Sequence, residues 1–181
     1  SAVFLGCSSL KSINIPKQVN KIGDGAFCCP NLAKITVDKN NKYFVSVKDV
    51  LYKAGKKYLL QYAPGKKDTR FTIPSTVKTM GVASFMYSKN LKSVTLPKSI
   101  KWIEQNNFAY CTNLETIVIP KSVTVVSSES FYKCNKLRVV FYDGSKKQWN
   151  KLDKSTETNL LKATVAYNGA KSAVALNTKS L

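Results

Sequence analysis

The sequence contains no histidine, and this absence removes most of the familiar catalytic chemistry. Histidine is the usual general base, the partner of serine and cysteine nucleophiles, and the commonest metal ligand. A phosphate-binding loop, a dinucleotide-binding glycine motif and a GxSxG nucleophile motif are also absent from the sequence. We therefore expect no enzyme activity, no cofactor and no metal site in this chain.

Acidic residues are scarce, with 10 Asp and Glu against 29 Lys and Arg, which gives a net charge of +19. Such an excess favours attraction to polyanions. The aspartates are scattered and lack the spacing of a calcium loop or of paired catalytic carboxylates. We interpret them as solvated charges or turn formers: Asp38, Asp49, Asp68, Asp143 and Asp153.

Long apolar runs are missing as well. A membrane-spanning helix needs about 18 or more consecutive apolar residues, and no stretch qualifies, so no span is expected. Hydrophobic residues nevertheless make up 44% of the 181 residues, which is enough for a continuous core in one domain.

What the sequence does contain is an internal repeat. Pro74, Pro97 and Pro120 are separated by 23 residues each, and every one follows an apolar strand-like triplet. Pro16 follows a fourth triplet, and a phenylalanine lies 11 residues after each proline. Further columns share this register. They are the phenylalanines Phe27, Phe85, Phe108 and Phe131, the leucines Leu10, Leu32, Leu91, Leu114 and Leu137, and the small residues Cys7, Cys29, Ser88, Cys111 and Cys134.

The repeat unit AFxxCxxLxxIxIPxxVxxIGxx predicts one coil of a solenoid. The LxxIxI segment alternates with the period of a strand, and proline ends that strand because it lacks an N–H. The xxVxxI spacing predicts a tight helical or 3₁₀-like return. One coil cannot bury its apolar groups alone, so coils stack and their strands form a parallel sheet. We expect a right-handed solenoid with strands centred on 13–15, 35–37, 71–73, 94–96, 117–119 and 140–142.

This unit resembles the BspA-like leucine-rich-repeat family, through residues 107–120, NFAYCTNLETIVIP, and their copies. The resemblance covers roughly residues 1–167. It implies an α/β leucine-rich-repeat solenoid of a kind that bacteria secrete or display on their surface. It also implies adhesion to host matrix proteins or to other cells.

The repeat breaks after Val37, which is followed by Asp38 instead of proline, and the next strand ends only at Pro74. Two aromatic–aliphatic runs in between, 43–52 and 58–62, flank a turn at 54–56. They predict a β-hairpin outside the regular coil, within a long repeat of about 38–73. It could be a structural insert on the solenoid flank or a protruding recognition element.

The C-terminal part departs from the repeat, and we interpret about 143–169 as a cap. A short helix should bury Trp149 and Leu152, and a last strand should follow near 163–169. The solenoid then covers 1–169, with 170–181 as a tail or linker. Because Phe4 already holds a repeat position, we also expect further repeats upstream.

Four of the five cysteines, Cys7, Cys29, Cys111 and Cys134, share one column of the repeat. Neighbouring coils would bring them to a Cα separation of about 5 Å, which permits a disulfide. Since Ser88 occupies the same column, a small buried side chain explains the position better. We predict buried, reduced thiols.

Two functions remain open, the first of which is a non-catalytic protein-interaction scaffold. It would be an adhesin-like, monomeric module, extracellular or on the cell surface, with an unknown protein or glycan ligand that a host or another cell could present. Its candidate binding surface is the outward strand positions Asn14, Thr36, Thr72, Thr95, Val118 and Phe141.

The alternative is a polyanion-binding module for acidic glycans, wall polymers or, less favoured, nucleic acid. Candidate contacts are Lys53, Lys56, Lys57, Lys98 and Lys121, with Lys17 in line with the last two. Lys78 and Lys101 also share a repeat position. Lysines clustered on one face would favour polyanion binding, whereas an even spread would serve solubility.

Overall fold

One strand from each repeat lies beside the strand of the next repeat, and the rest of the repeat returns the chain to the start of that next strand. The computed structural model describes residues 6–154 and 158–168. The expected tail at 170–181 and the upstream Phe4 lie outside the described residues. The elements are β1 (Ser12–Ile15), β2 (Lys34–Val37), β3 (Phe44–Val47), β4 (Val50–Lys53), β5 (Tyr58–Tyr62), β6 (Arg70–Thr72), β7 (Thr79–Met80), β8 (Ser93–Thr95), β9 (Trp102–Ile103), β10 (Thr116–Pro120), β11 (Val125–Val126), β12 (Val139–Asp143), α1 (Lys146–Lys151), α2 (Thr158–Lys162) and β13 (Thr164–Tyr167).

The predicted leucine-rich-repeat solenoid with short parallel strands is confirmed, and its strands fall at the predicted positions. Strands β6, β8, β10, β12 and β13 form one parallel sheet, in which Val94 pairs with Ile117 and Ile117 with Val140. Strands β1 and β2 form a separate parallel pair. The expectation of a single continuous sheet is therefore wrong. The reason is that β3 of the long repeat lies beside β2, where Ser46 donates a hydrogen bond to the carbonyl of Ile35.

The return segment of each coil is only partly the expected helical turn. It begins with a turn, in which Val77 N donates to Pro74 O at 3.0 Å, and it continues as a short strand. Residues Thr79–Met80, Trp102–Ile103 and Val125–Val126 are short extended strands, and β9 pairs in parallel with β11. Each coil thus offers its neighbour backbone donors and acceptors on a second side. Parallel pairing satisfies these groups between coils, whereas a 3₁₀ turn would satisfy them within one coil.

The inserted segment is a three-stranded meander rather than a single hairpin. Strands β3 and β4 pair antiparallel around Lys48 and Asp49, both with positive φ, as in a type I′ turn. Strands β4 and β5 pair antiparallel around the predicted turn, with φ of 82° at Gly55 and 57° at Lys56. Strand β5 then pairs in parallel with β7 of the next coil.

The meander is therefore part of the solenoid and does not lie outside the coil on its flank. Leu51 and Leu60 pack in an N-terminal hydrophobic cluster with Phe27. Tyr52 and Leu59 pack in the larger cluster that fills the other coils. The meander separates two cores and contributes side chains to both, because its strands alternate between the two faces.

Phenylalanines at the same repeat position stack along the axis of the larger core. Ring centroids are 5.2 Å apart between Phe85 and Phe108 and 5.3 Å apart between Phe108 and Phe131. Tyr62 continues the stack at 5.3 Å from Phe85. All four side chains are buried. Phe85 and Phe108 thus have a stacked ring on each side.

The last described unit covers the open end of this core. Ser145 caps α1 through a capping box with Gln148. Trp149 and Leu152 are buried, as predicted, and the Trp149 ring meets Tyr142 edge-on at 5.2 Å. Strand β13 then pairs in parallel with β12.

The cysteine column is only partly as predicted. Cys29, Cys111 and Cys134 are buried thiols, and Cys111 donates to the carbonyl of Phe85 at 3.2 Å. Cys134 makes the equivalent bond to Phe108 at 3.0 Å. Cys7, however, is exposed, so the prediction is wrong for that residue. Among the described residues it belongs to the first coil, where only the neighbouring coil covers it, through the bond from Gly6 N to Cys28 O.

Truncation of the central ring tests the stacked core. We expect Phe108→Ala to lower the free energy of unfolding by about 3–5 kcal/mol, because the cavity has rigid rings on two sides. Tyr132→Ala removes an exposed ring nearby and should cost about 1 kcal/mol or less. Denaturant titration of both variants measures this. A Phe108→Ala cost no larger than that of the control would contradict the stacked arrangement.

Thiol accessibility gives a second test. Burial raises the pKa of Cys28 to about 12, and burial raises the pKa of Cys111 well above its ordinary value. Because the thiolate is the reactive form, these residues should resist a thiol-titrating reagent in the folded protein at about pH 8, whereas exposed Cys7 should react rapidly. In denaturant without reductant, all five cysteines should react. A shortfall of two thiols there would reveal a disulfide and contradict the prediction.

Candidate binding surfaces

The predicted outward strand positions form two groups instead of one stripe, because they lie on two separate sheets. Asn14 and Thr36 are register partners in β1 and β2, and the Thr36 hydroxyl donates to Asn14 Oδ1 at 2.9 Å. Thr95 aligns with Thr72 on one side and with Val118 on the other, and Val118 aligns with Phe141. The inserted meander separates the two groups.

Accessibility varies along the second group. Thr72 is exposed, and Thr95 and Phe141 are half-buried. Val118 is only 9% exposed, since Thr95 and Phe141 lie beside it on the two neighbouring strands. A ligand on this face would therefore contact the threonines and the Phe141 ring more than Val118.

Lys98 and Lys121, which follow β8 and β10, are both exposed, but their positive charge is partly compensated. Lys98 Nζ lies 4.0 Å from Asp143 Oδ2, across the coil that carries Lys121. Lys17 is also exposed, but it belongs to the coil on the other side of the meander. This edge thus presents fewer uncompensated charges than the repeat register suggests.

The lysines at the meander tip lie beside the lysines that precede the return strands β7 and β9. Lys53, Lys56 and Lys57 are all exposed. The Lys57 carbonyl accepts hydrogen bonds from Lys78 N at 2.7 Å and from Thr79 N at 3.2 Å. Strands β7 and β9 pack side by side, so Lys101 follows Lys78 along the same edge. We call these five exposed residues the basic edge: Lys53, Lys56, Lys57, Lys78 and Lys101.

Asp49 and Asp68 of the inserted repeat form ion pairs with Lys66, which is not part of the basic edge. Lys66 Nζ lies 3.9 Å from Asp49 Oδ2 and 3.2 Å from Asp68 Oδ2. Within the part of the chain that the structure describes, no carboxylate lies within 4.0 Å of an ammonium group of the basic edge. Of the five, Lys53 has a ring contact, with its Nζ 4.0 Å from the centroid of Tyr58.

Two carboxylates lie near the basic edge: Asp24, in the turn between β1 and β2, and Glu104, directly after β9. Tyr58 donates its hydroxyl to the carboxylate of Asp24 at 2.8 Å, and Val82 N donates to it at 3.2 Å. Burial, and then the charge of Asp24, raises the pKa of Glu104. Burial and the bond to Asp24 likewise raise the pKa of Tyr58. These groups tie neighbouring coils together, and none of them is a nucleophile poised beside a base.

Exposed aromatic side chains were not among the predicted site residues. Trp102 is 56% exposed and Tyr43 is 51% exposed. Trp102 follows Lys101, and the Tyr43 carbonyl accepts from Ala54 N at the meander tip at 2.7 Å. The period already places Trp102 between the core positions Ile100 and Ile103, so its exposure could have been read from the spacing. Nothing in the sequence marks Tyr43.

Residues 6–154 and 158–168 hold no group of three or more histidine, cysteine, aspartate or glutamate residues placed to bind a metal ion. They also hold no helix long and apolar enough to cross a membrane.

Comparison with known proteins adds sequence and fold relationships. A model of the BspA type leucine rich repeat region matches six copies, over residues 1–47 and 64–157. The gap between the two matched ranges coincides with most of the inserted meander. No curated protein is significantly similar in sequence to the chain.

Solved structures of bacterial surface proteins share the fold. The pneumococcal vaccine antigen PcpA aligns with 74% of this chain and 39% of its own, at a TM-score of 0.65 and 23% identity, which relates the folds alone. A leucine rich cell surface protein from Faecalibacterium prausnitzii aligns with 80% of this chain and 51% of its own, at a TM-score of 0.54 and 25% identity. The chain thus aligns with about two fifths of the first protein and about half of the second.

Proposed function

We propose that this chain, which belongs to the BspA-type leucine-rich repeat family, is a non-catalytic interaction module that is secreted or displayed on a cell surface. The observation that carries the proposal is the rigid, register-matched sheet face with Thr72, Thr95 and Phe141 at its accessible positions. Solenoids use such extended faces to bind partners. A leucine rich cell surface protein among the structural neighbours supports the location.

The proposed role is adhesion through one chain acting as a monomer. Stacked coils hold the face in one conformation, so a ligand meets side chains whose positions are already fixed and pays little ordering entropy. The threonines offer hydroxyl groups at the strand spacing of about 4.8 Å, and Phe141 adds an apolar contact. These features suit a protein or a glycan on a host or on another cell.

A binding array tests the sheet face. An array of matrix proteins and glycans should identify ligands of the unmodified chain, and Thr72→Glu with Thr95→Glu should reduce binding to them by about tenfold or more, since a charge is buried at the contact. Thr112→Glu with Asn135→Glu makes the same charge change at exposed positions elsewhere. If both pairs of substitutions reduce binding equally, the sheet is not the binding face.

Polyanion binding is a second candidate function, favoured by the uncompensated charge of the basic edge. Five lysines lie together on this edge, and among the described residues no carboxylate lies within 4.0 Å of their ammonium groups. Exposed lysines are flexible point charges, which favours affinity without sharp specificity.

A heparin column tests this candidate. The chain should be retained at low salt and released as the Debye length falls from about 10 Å at 0.1 M to about 3 Å at 1 M. Replacing Lys53, Lys56 and Lys57 by serine should lower the salt concentration at elution more than replacing the exposed Lys11, Lys34 and Lys89. Lys98 and Lys121, substituted together, report separately on the other edge. Flow-through of the unmodified chain at low salt would exclude this function.

A further inference from the structure

The basic edge and two exposed aromatic rings lie along one continuous border of the solenoid. The border runs from Tyr43 across the meander tip at Ala54 to Lys57, and from there to Lys78 and Lys101. Trp102 follows directly on Lys101, at the start of β9. Five strands, β3, β4, β5, β7 and β9, thus have one end at this border; the first four are hydrogen-bonded neighbours about 4.8 Å apart, and β9 packs beside β7.

We propose that this border binds an acidic polysaccharide, with the lysines of the basic edge paired to carboxylate or sulfate groups on successive sugars and with Trp102 and Tyr43 packed on sugar rings. The proposal rests on the polyanion-binding candidate above and names its ligand class and its site.

The charges of the border are arranged to hold a chain in one position. Lys57, Lys78 and Lys101 repeat once per strand, so a polymer with regularly spaced anionic groups meets one cation after another. Asp24 and Glu104 lie on the far side of Tyr58 and Trp102 from the lysines, and they repel anionic groups. An acidic chain is therefore confined to the lysine side of the aromatic rings.

The aromatic side chains supply apolar contacts with sugar rings, which the lysine charges cannot provide. The neighbours of Trp102 on the adjacent strands, Thr79 and Val125, are smaller and half-buried, so the indole stands above them. An exposed indole combines a large apolar face with a negative π surface, which suits the C–H groups of a sugar ring. Tyr43 offers a second ring at the other end of the border.

Single-stranded nucleic acid fits the border less well. Its sequence-independent binding sites stack successive bases on closely spaced aromatic rings in a groove. Here the two exposed rings lie at opposite ends of the row, about four strand spacings apart, with lysines between them. Arginine, which pairs with phosphate in a bidentate manner, is absent from the basic edge.

Titration of the whole chain with defined polymers tests the proposal. The probes are a heparin oligosaccharide, an oligogalacturonate, neutral dextran, inorganic polyphosphate and an oligothymidylate, with affinity measured by calorimetry. The two tryptophans provide a second readout, because Trp102 is exposed while Trp149 is buried. Binding of either acidic sugar should change tryptophan emission, and dextran should not bind.

Substitutions distinguish binding at this border from binding that depends only on the net positive charge of the chain. Lys57→Ser, Lys78→Ser and Lys101→Ser together should weaken binding of the acidic sugars about tenfold, as expected for three exposed ion pairs. The matched control, Lys11→Ser with Lys34→Ser and Lys89→Ser, should change the affinity less than about threefold. Trp102→Ala should weaken binding of the acidic sugars about fivefold and leave polyphosphate binding unchanged. Thermal unfolding confirms that each variant is folded.

Four results would overturn the proposal. Equal effects of the two lysine triples would move the site elsewhere while leaving polyanion binding intact. No binding of any acidic polymer would remove both the site and the polyanion candidate. Affinity for polyphosphate as high as for the sugars, with Trp102→Ala without effect on either, would reduce the site to charge alone. Tighter binding of the oligothymidylate, sensitive to the same variants, would identify a nucleic-acid site.

Discussion

Backbone hydrogen bonds between residues 22 or 23 positions apart hold this solenoid together, in its turns as well as in its strands. Phe85 N donates to Asn107 O, and Phe108 N donates in the same way to Ser130 O. Buried polar side chains also join neighbouring coils, since Asn107 donates to Gly81 O and Ser130 to Glu104 O, each 26 positions away. Because a buried donor or acceptor left unpaired is costly, each coil fixes the conformation of the next.

The inserted meander satisfies this constraint in a different way. It brings its own antiparallel partners, so its backbone does not depend on the coil before it, and it returns to the parallel rule only where β5 meets β7. Gly65 joins it to the preceding coil, where a Cβ would lie 2.6 Å from the backbone carbon of Asn31. The meander consequently separates two hydrophobic clusters and places the lysine-rich turn at a border.

Much of the fold was predictable because the repeat register reports on the core. The strand positions, the stacked phenylalanines and the buried Trp149 of the cap all follow from the spacing of apolar residues. The split of the sheet was not predictable, since the sequence of the meander shows that strands are present but not which edge they cover. A spacing of three predicts helical turns in the return segments, but the same spacing also fits two-residue strands when a neighbouring coil supplies the partners. At the candidate sites, the sequence identifies lysines that are exposed. It does not show which of these lysines are paired with a carboxylate. Asp143 reaches Lys98 across an intervening coil, a contact that no local spacing encodes.

The fixed 23-residue register has a consequence for how such a protein can change over generations. Duplication or loss of one whole unit leaves every surviving contact between coils in place, so length can vary without a new core being invented. An insertion of any other length is tolerated only when it arrives with its own pairing partners, as the meander does. Its tip lies apart from the ladder of core residues, so selection can alter the residues there while the coils on either side stay constant.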